Sequence, residues 1–207
     1  MAISVDEAKA IADRLESLIN DPHVSGAALD DDTRRRLREG GLKLSLLMEA
    51  PGDTIHRISN TPLQLAIDRI GVETHLFEIM AEAEGSVFTN GELASKTNVD
   101  PVLMKRLLRY YQSCGMLSQP SDDSYSSNNI TKALASTGGQ SGINYFFEMV
   151  SPSFMAFPSF LRENGYRNPT DPNHCPWHLG HRTDLSPFPW LQTHPEHFGY
   201  FLPWMAA

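Results

Sequence analysis

Cysteine is scarce: Cys114 and Cys175 are the only two in 207 residues. Two cysteines so placed match no disulfide framework and no zinc-ligand spacing. Long apolar runs are missing as well. Nothing approaches the roughly 18 consecutive apolar residues of a membrane-spanning helix. The N-terminal MAISVDEAKAIADRL carries acids and lacks a continuous apolar stretch, so it does not read as a secretory signal. Cytoplasmic is therefore the expected localisation. Positive charge is short too, with 17 Lys and Arg against 25 Asp and Glu and a net charge of −8. That balance argues against a nucleic-acid surface. Internal repeats, long low-complexity segments and an H-E-x-x-H metal motif are also lacking.

What is present begins with the stretch Thr89–Thr131. Thr89 and Glu92 have capping-box spacing, which predicts a helix start. Asp100 followed by Pro101 predicts a second, with an N-cap carboxylate and a proline at the first helical position. Val102, Leu103, Leu107, Leu108 and Tyr111 then recur at helical spacing, and Gly115 marks the stop. Two short pieces, Met116–Gln119 and Ser124–Ser126, flank a turn at Ser121-Asp122-Asp123. Helix, turn, helix and small hairpin make a winged-helix pattern. The expected fold class is mainly α, a winged-helix domain with extra helices at both ends.

Upstream, Ser4–Asn20 reads as an amphipathic helix opened by a Ser4/Glu7 capping box and closed by Asp21-Pro22. A polar linker leads to a second helix, Asp32–Glu49, in which Gly40-Gly41 predicts a weak point. Its arginines (Arg34, Arg35, Arg36, Arg38) are surrounded by acids, which suits a solvated face. Thr61-Pro62 is expected to open a third helix that carries Leu63 to Met80, with Gly71 interrupting it. Thr131–Ala135 starts a short segment expected to end at Thr137-Gly138-Gly139. After Gly142 the composition changes. Residues 142–207 hold 14 of the 19 aromatic residues and five of the eight histidines. Ile143–Val150 and Phe154–Leu161 read as short helices with Pro152 and Pro158 as breaks or first-turn prolines. A proline-rich loop follows, then a helix-like run from His178 to Leu185 that Pro187 and Pro189 break. Trp190–His194 and Glu196–Met205 close the chain.

Four segments carry a family resemblance: PLQLAIDRIGVETHLFEIM (62–80), GELASKTNVDPVLMKRLLRYYQSCGML (91–117), WHLGHRTDLSPFPWL (177–191) and PEHFGYFLPWM (195–205). Together they resemble the N-terminal, dimerisation and substrate-lid half of plant- and fungal-type S-adenosylmethionine (SAM)-dependent O-methyltransferases. The resemblance implies three segments: dimerisation helices over 1–60, a winged-helix-like domain over 61–140, and an aromatic-rich substrate-pocket region over 141–207. It also implies a homodimer and a small-molecule, polyketide-like substrate under the aromatic region. The family's Rossmann-like half, with its glycine-rich SAM loop, would begin beyond Met205. Its absence from these 207 residues leads to the expectation of no cofactor and no methyl transfer.

The functional expectation is a cofactor-independent cyclase or isomerase acting on a polyketide-type intermediate of fungal secondary metabolism. Two alternatives stand beside it, a non-catalytic dimerisation partner of a pathway enzyme and a fragment of an ordinary O-methyltransferase. His178, His181 and Asp184 are the candidate catalytic residues, because their spacing suits one helix face and an imidazole titrates near neutrality. A structural role for them, bonded to backbone carbonyls, is the competing reading. Phe147, Phe154, Phe157, Trp177, Phe188 and Trp190 are the candidate substrate walls, with His174 and His194 the next proton carriers. No metal site is expected. A nucleophile built on Cys175 is the weakest candidate, since no oxyanion-hole signature accompanies it.

Overall fold

The structure, a computed structural model, describes residues 4–19, 29–83 and 85–207. The chain divides into two compact units at Ser59/Asn60. The first contains α1 (Val5–Ile19) and α2 (Asp31–Met48). Asp30 caps α2 by accepting the Thr33 N–H, and Gly40-Gly41 does not interrupt the helix. No residue of α1 or α2 is buried. The expected end of α1 at Asp21-Pro22, and the linker after it, lie outside the described residues.

The third helix departs from expectation. α3 runs Pro51–Glu73, so it opens at Pro51 and carries Pro62 in its interior. A proline at the first helical position costs nothing, because that N–H has no helical partner anyway. The break comes after Glu73 and not at Gly71: His75 is left-handed (φ 55°) and α4 (Leu76–Glu82) starts anew. Gly71 is needed for space. A Cβ there would collide with the Phe77 ring and lie 2.9 Å from the Tyr111 hydroxyl.

The winged-helix stretch forms as its caps dictate. β1 (Val87–Phe88) leads into α5 (Asn90–Thr97), whose capping box pairs Thr89 with Glu92 in both directions. α6 (Pro101–Ser113) starts on Asp100, which accepts the Val102 and Leu103 N–H groups. β2 (Ser118–Ser121) and β3 (Ser124–Ser126) make the hairpin, and β1 adds antiparallel to β3, giving the order β1-β3-β2. The result is a mainly α, winged-helix-like domain with a small antiparallel sheet. Leu76, Phe77, Met80, Leu93, Met104, Leu108, Tyr111 and Tyr125 are its solvent-free core. The Tyr111 hydroxyl donates to the Ile67 carbonyl (2.6 Å) and Phe77 meets the Tyr111 ring edge-on at 5.2 Å, tying α3, α4 and α6 together.

Beyond this domain several breaks fall elsewhere than expected. α7 (Asn129–Ala135) is followed by α8 (Thr137–Tyr145), which starts at Thr137-Gly138-Gly139 instead of ending there. Ser136 caps it through the Gly139 N–H. Phe146–Val150 continues as a π-helical turn into α9 (Ser151–Glu163), where Pro152 occupies the first turn and Pro158 lies inside. α10 (Pro176–His181) stops at the left-handed Arg182, so the helix-like run does not reach Leu185. Pro187 and Pro189 begin α11 (Pro187–Thr193), and α12 (Pro195–Met205) ends the chain with Pro203 inside. Close approach explains the glycines. Cβ atoms at Gly142 and Gly180 would each lie 2.5 Å from a neighbour, the Trp204 ring on α12 and the Pro152 carbonyl on α9.

Candidate functional site

The aromatic-rich region builds its own small core, with Met149, Trp177 and Leu191 buried and Tyr145, Val150, Cys175 and Trp190 packed against them. Two W-x-x-x-H spacings place an imidazole over an indole one helical turn on. Trp177 and His181 stack at 3.7 Å, Trp190 and His194 at 3.6 Å, and the two indoles meet edge to face at 5.5 Å. The Trp177 Nε1–H donates to the Leu185 carbonyl at 2.9 Å. Both tryptophans are therefore held from several sides.

His181 is held as well. Its Nε2 donates to the Met149 carbonyl at 2.8 Å. Burial pushes its pKa down, and the nearby His197 and His194 add to that, against the carbonyl bond. His178 differs. Its Nδ1 accepts the Cys175 backbone N–H at 3.3 Å and lies 3.3 Å from the Cys175 Sγ, while its Nε2 is shut off from water with no partner. Asp184 is exposed, and no hydrogen bond or ion pair among the described residues joins it to either histidine. Helix α10 ends before Asp184, so the one-face spacing read from the sequence does not hold across the three.

The six expected wall residues fall into two groups. Trp177 and Trp190 belong to the small core, whereas Phe147, Phe154, Phe157 and Phe188 are exposed, Phe154 and Phe188 by more than 60%. A cleft of about 490 Å³ lies elsewhere, at the end of α9 and its following loop, lined by Phe160, Glu163, Asn164, Arg167, Asp171 and His174. His174 sits there with its ring 5.1 Å from Phe160.

A polar group that sequence reasoning missed joins three elements. Glu148, on the π-helical turn, accepts from Arg69 of α3 at 2.7 Å and pairs with His197 Nε2 of α12 at 3.0 Å. Arg69 also meets the Asn144 side chain and Glu73. All three pairing side chains, Arg69, Glu148 and His197, are at least three-quarters buried. One signal was available: Glu148 is the only charged residue between Asn144 and Leu161, an isolated acid among aromatics. Single π-helical turns concentrate at functional positions, where they re-aim one side chain.

The strands among the described residues are two to four residues long and antiparallel, and none feeds a glycine-rich turn at a helix start. No group of three or more His, Cys, Asp or Glu that could hold a metal ion occurs among the described residues. No helix among them is long and apolar enough to cross a membrane.

No family model matches the sequence. Individual relatives do. The chain is 37% identical over 160 residues to the O-methyltransferase ucdC of Aspergillus ustus, covering 77% of this chain and 42% of that protein. It is 34% identical over 172 residues to the O-methyltransferase lepI of Aspergillus flavus, covering 83% and 44%. A solved structure described as a pericyclic reaction enzyme superposes with a TM-score of 0.85 at 30% identity, over 99% of this chain and 50% of that one. The chain thus spans about half the length of the proteins it matches.

Proposed function

The chain is a homologue of the N-terminal half of fungal O-methyltransferases, and on that premise we propose that it holds a conjugated, polyketide-type small molecule for a ring-closing or isomerising step without methyl transfer. One observation carries the proposal: the likeness over 99% of the chain to a structure described as a pericyclic reaction enzyme. Such a step needs little chemistry from the protein. Orientation of the reacting ends contributes roughly 7–11 kcal/mol to an intramolecular reaction. Flat apolar walls supply orientation, and the exposed Phe147, Phe154, Phe157 and Phe188, with Trp177 and Trp190 of the small core, are the residues proposed to form them. His178, His181 or Asp184 would hold or move a proton at the ligand's polar end. Of these, His178 has the uncommitted nitrogen.

A second reading has its own support. The 37% identity to ucdC favours the N-terminal half of an ordinary O-methyltransferase, whose aromatic region would only position an acceptor hydroxyl. One incubation separates the two. The purified protein is given candidate polyketide intermediates with and without SAM, and products are read by mass and chirality. A ring-closed or isomerised product of unchanged mass, in enantiomeric excess and equally without SAM, supports the proposal. A racemic product at the spontaneous rate, or a methylated one formed only with SAM, overturns it.

A further inference from the structure

We propose that Cys175 is a nucleophilic thiol, with His178 as its base, and a site of covalent capture of α,β-unsaturated carbonyl compounds. The two residues form a pair across the first turn of α10. Sγ of Cys175 lies 3.3 Å from Nδ1 of His178 and accepts the His178 backbone N–H, while the Cys175 N–H returns to Nδ1 at 3.3 Å. The returning N–H fixes Nδ1 as an acceptor, which leaves it able to take the thiol proton. A nucleophile in reach of a base, with the base oriented by a third group, is the signature of an activated nucleophile. The imidazole is held beside the thiol by the Cys175 N–H that donates to Nδ1. Cys175 is half-buried, and it packs at the edge of the Met149–Trp177–Leu191 cluster. A polarizable sulfur beside aromatic, apolar surface suits a soft, conjugated carbon electrophile.

The addition balances without a co-reactant. Sγ bonds to the β-carbon, and the alkene π pair moves to the α-carbon as an enolate. The proton taken from Sγ by His178 Nδ1 is returned to that carbon. Nothing is oxidised or reduced. Cys114 is the internal control: it is exposed, and its sulfur sits beside the hydroxyls of Ser113, at 4.0 Å, and Tyr110, neither of which is an imidazole base.

N-ethylmaleimide is the probe, used on two single-thiol proteins, Cys114→Ser and Cys175→Ser, with adduct formation followed by mass spectrometry. Cys175 should react about tenfold or more faster than Cys114 at neutral pH, although it is the less exposed thiol. Denaturant should abolish the difference. In the Cys114→Ser background, His178→Gln keeps an acceptor for the Cys175 N–H but has no basic nitrogen. It should slow the reaction about tenfold or more, as should His178→Ala. Circular dichroism confirms that each variant is folded. A Cys175 rate equal to or below that of Cys114, or folded His178 variants that label at the parent rate, overturns the proposal. Should both variants unfold, the comparison of the two thiols decides alone.

Discussion

Asp68 is 5% exposed, and its Oδ1 has no hydrogen-bond partner inside the core of the winged-helix domain. Burial pushes its pKa up to about 6, and the same burial, with the Asp68 charge beside it, pushes the Tyr111 phenol up. An acid whose folded pKa lies above its unfolded value stabilises the fold only while protonated. Stability is therefore full below about pH 4 and declines as pH rises toward 6. Ionising a carboxyl held that far above its ordinary range costs the fold about 3 kcal/mol by neutral pH. Asp68→Asn removes the charge and keeps the shape. Its melting temperature should match the wild type near pH 4 and exceed it at pH 7 to 8. A variant that is no more stable at pH 8 than at pH 4, relative to wild type, contradicts this account. The sequence held no signal for it, since Asp68 sits at an ordinary helical position and only packing shuts water out.

Among the elements, those fixed by local chemistry were legible and those fixed by packing were not. The Thr89–Glu92 box, the Asp100-Pro101 start and the hairpin turn, where Asp123 takes the left-handed conformation, formed where the residues placed them, because each is settled within four residues. The glycines and prolines after residue 137 misled for the opposite reason. Gly138 and Gly139 read as a stop, yet α8 starts there, and Gly142 within it is what lets Trp204 of α12 lie on α8. The same holds for the site. Histidines and aromatics announced the region by composition, but the stacking of His181 on Trp177, the exposure of Asp184 and the Arg69–Glu148–His197 link depend on how distant elements meet. Gly142→Ala tests the packing explanation. The added methyl must displace the Trp204 ring or separate α12 from α8, at a cost of about 1–3 kcal/mol typical of an overpacked contact. Thermal melting should show the loss, and tryptophan fluorescence should show Trp204 moving into water. Unchanged fluorescence and stability would mean that α12 does not lie where the structure puts it.

For the whole molecule, the energetics of α1 and α2 point outward. Helices of 15 and 18 residues are marginal in water by themselves and draw most of their stability from an apolar face packed on something. Yet neither has a buried residue, and Leu37, Leu42, Leu46, Leu47 and Met48 of α2 are all more than 40% exposed. An apolar face of that kind marks an interface. We expect a second copy of the chain to cover it, so that the protein is a homodimer burying on the order of 2,000 Å² or more, the range of obligate interfaces. Light scattering at micromolar concentration should give twice the monomer mass. Replacing Leu42, Leu46 and Leu47 together by Ser should give monomers and lower the helical circular dichroism signal, because freed helices fray. The Asp68 titration should survive the substitution, since that core belongs to the winged-helix domain. A wild-type protein that is monomeric at these concentrations with full helical signal would show that these helices need no second copy, and the expectation would fall.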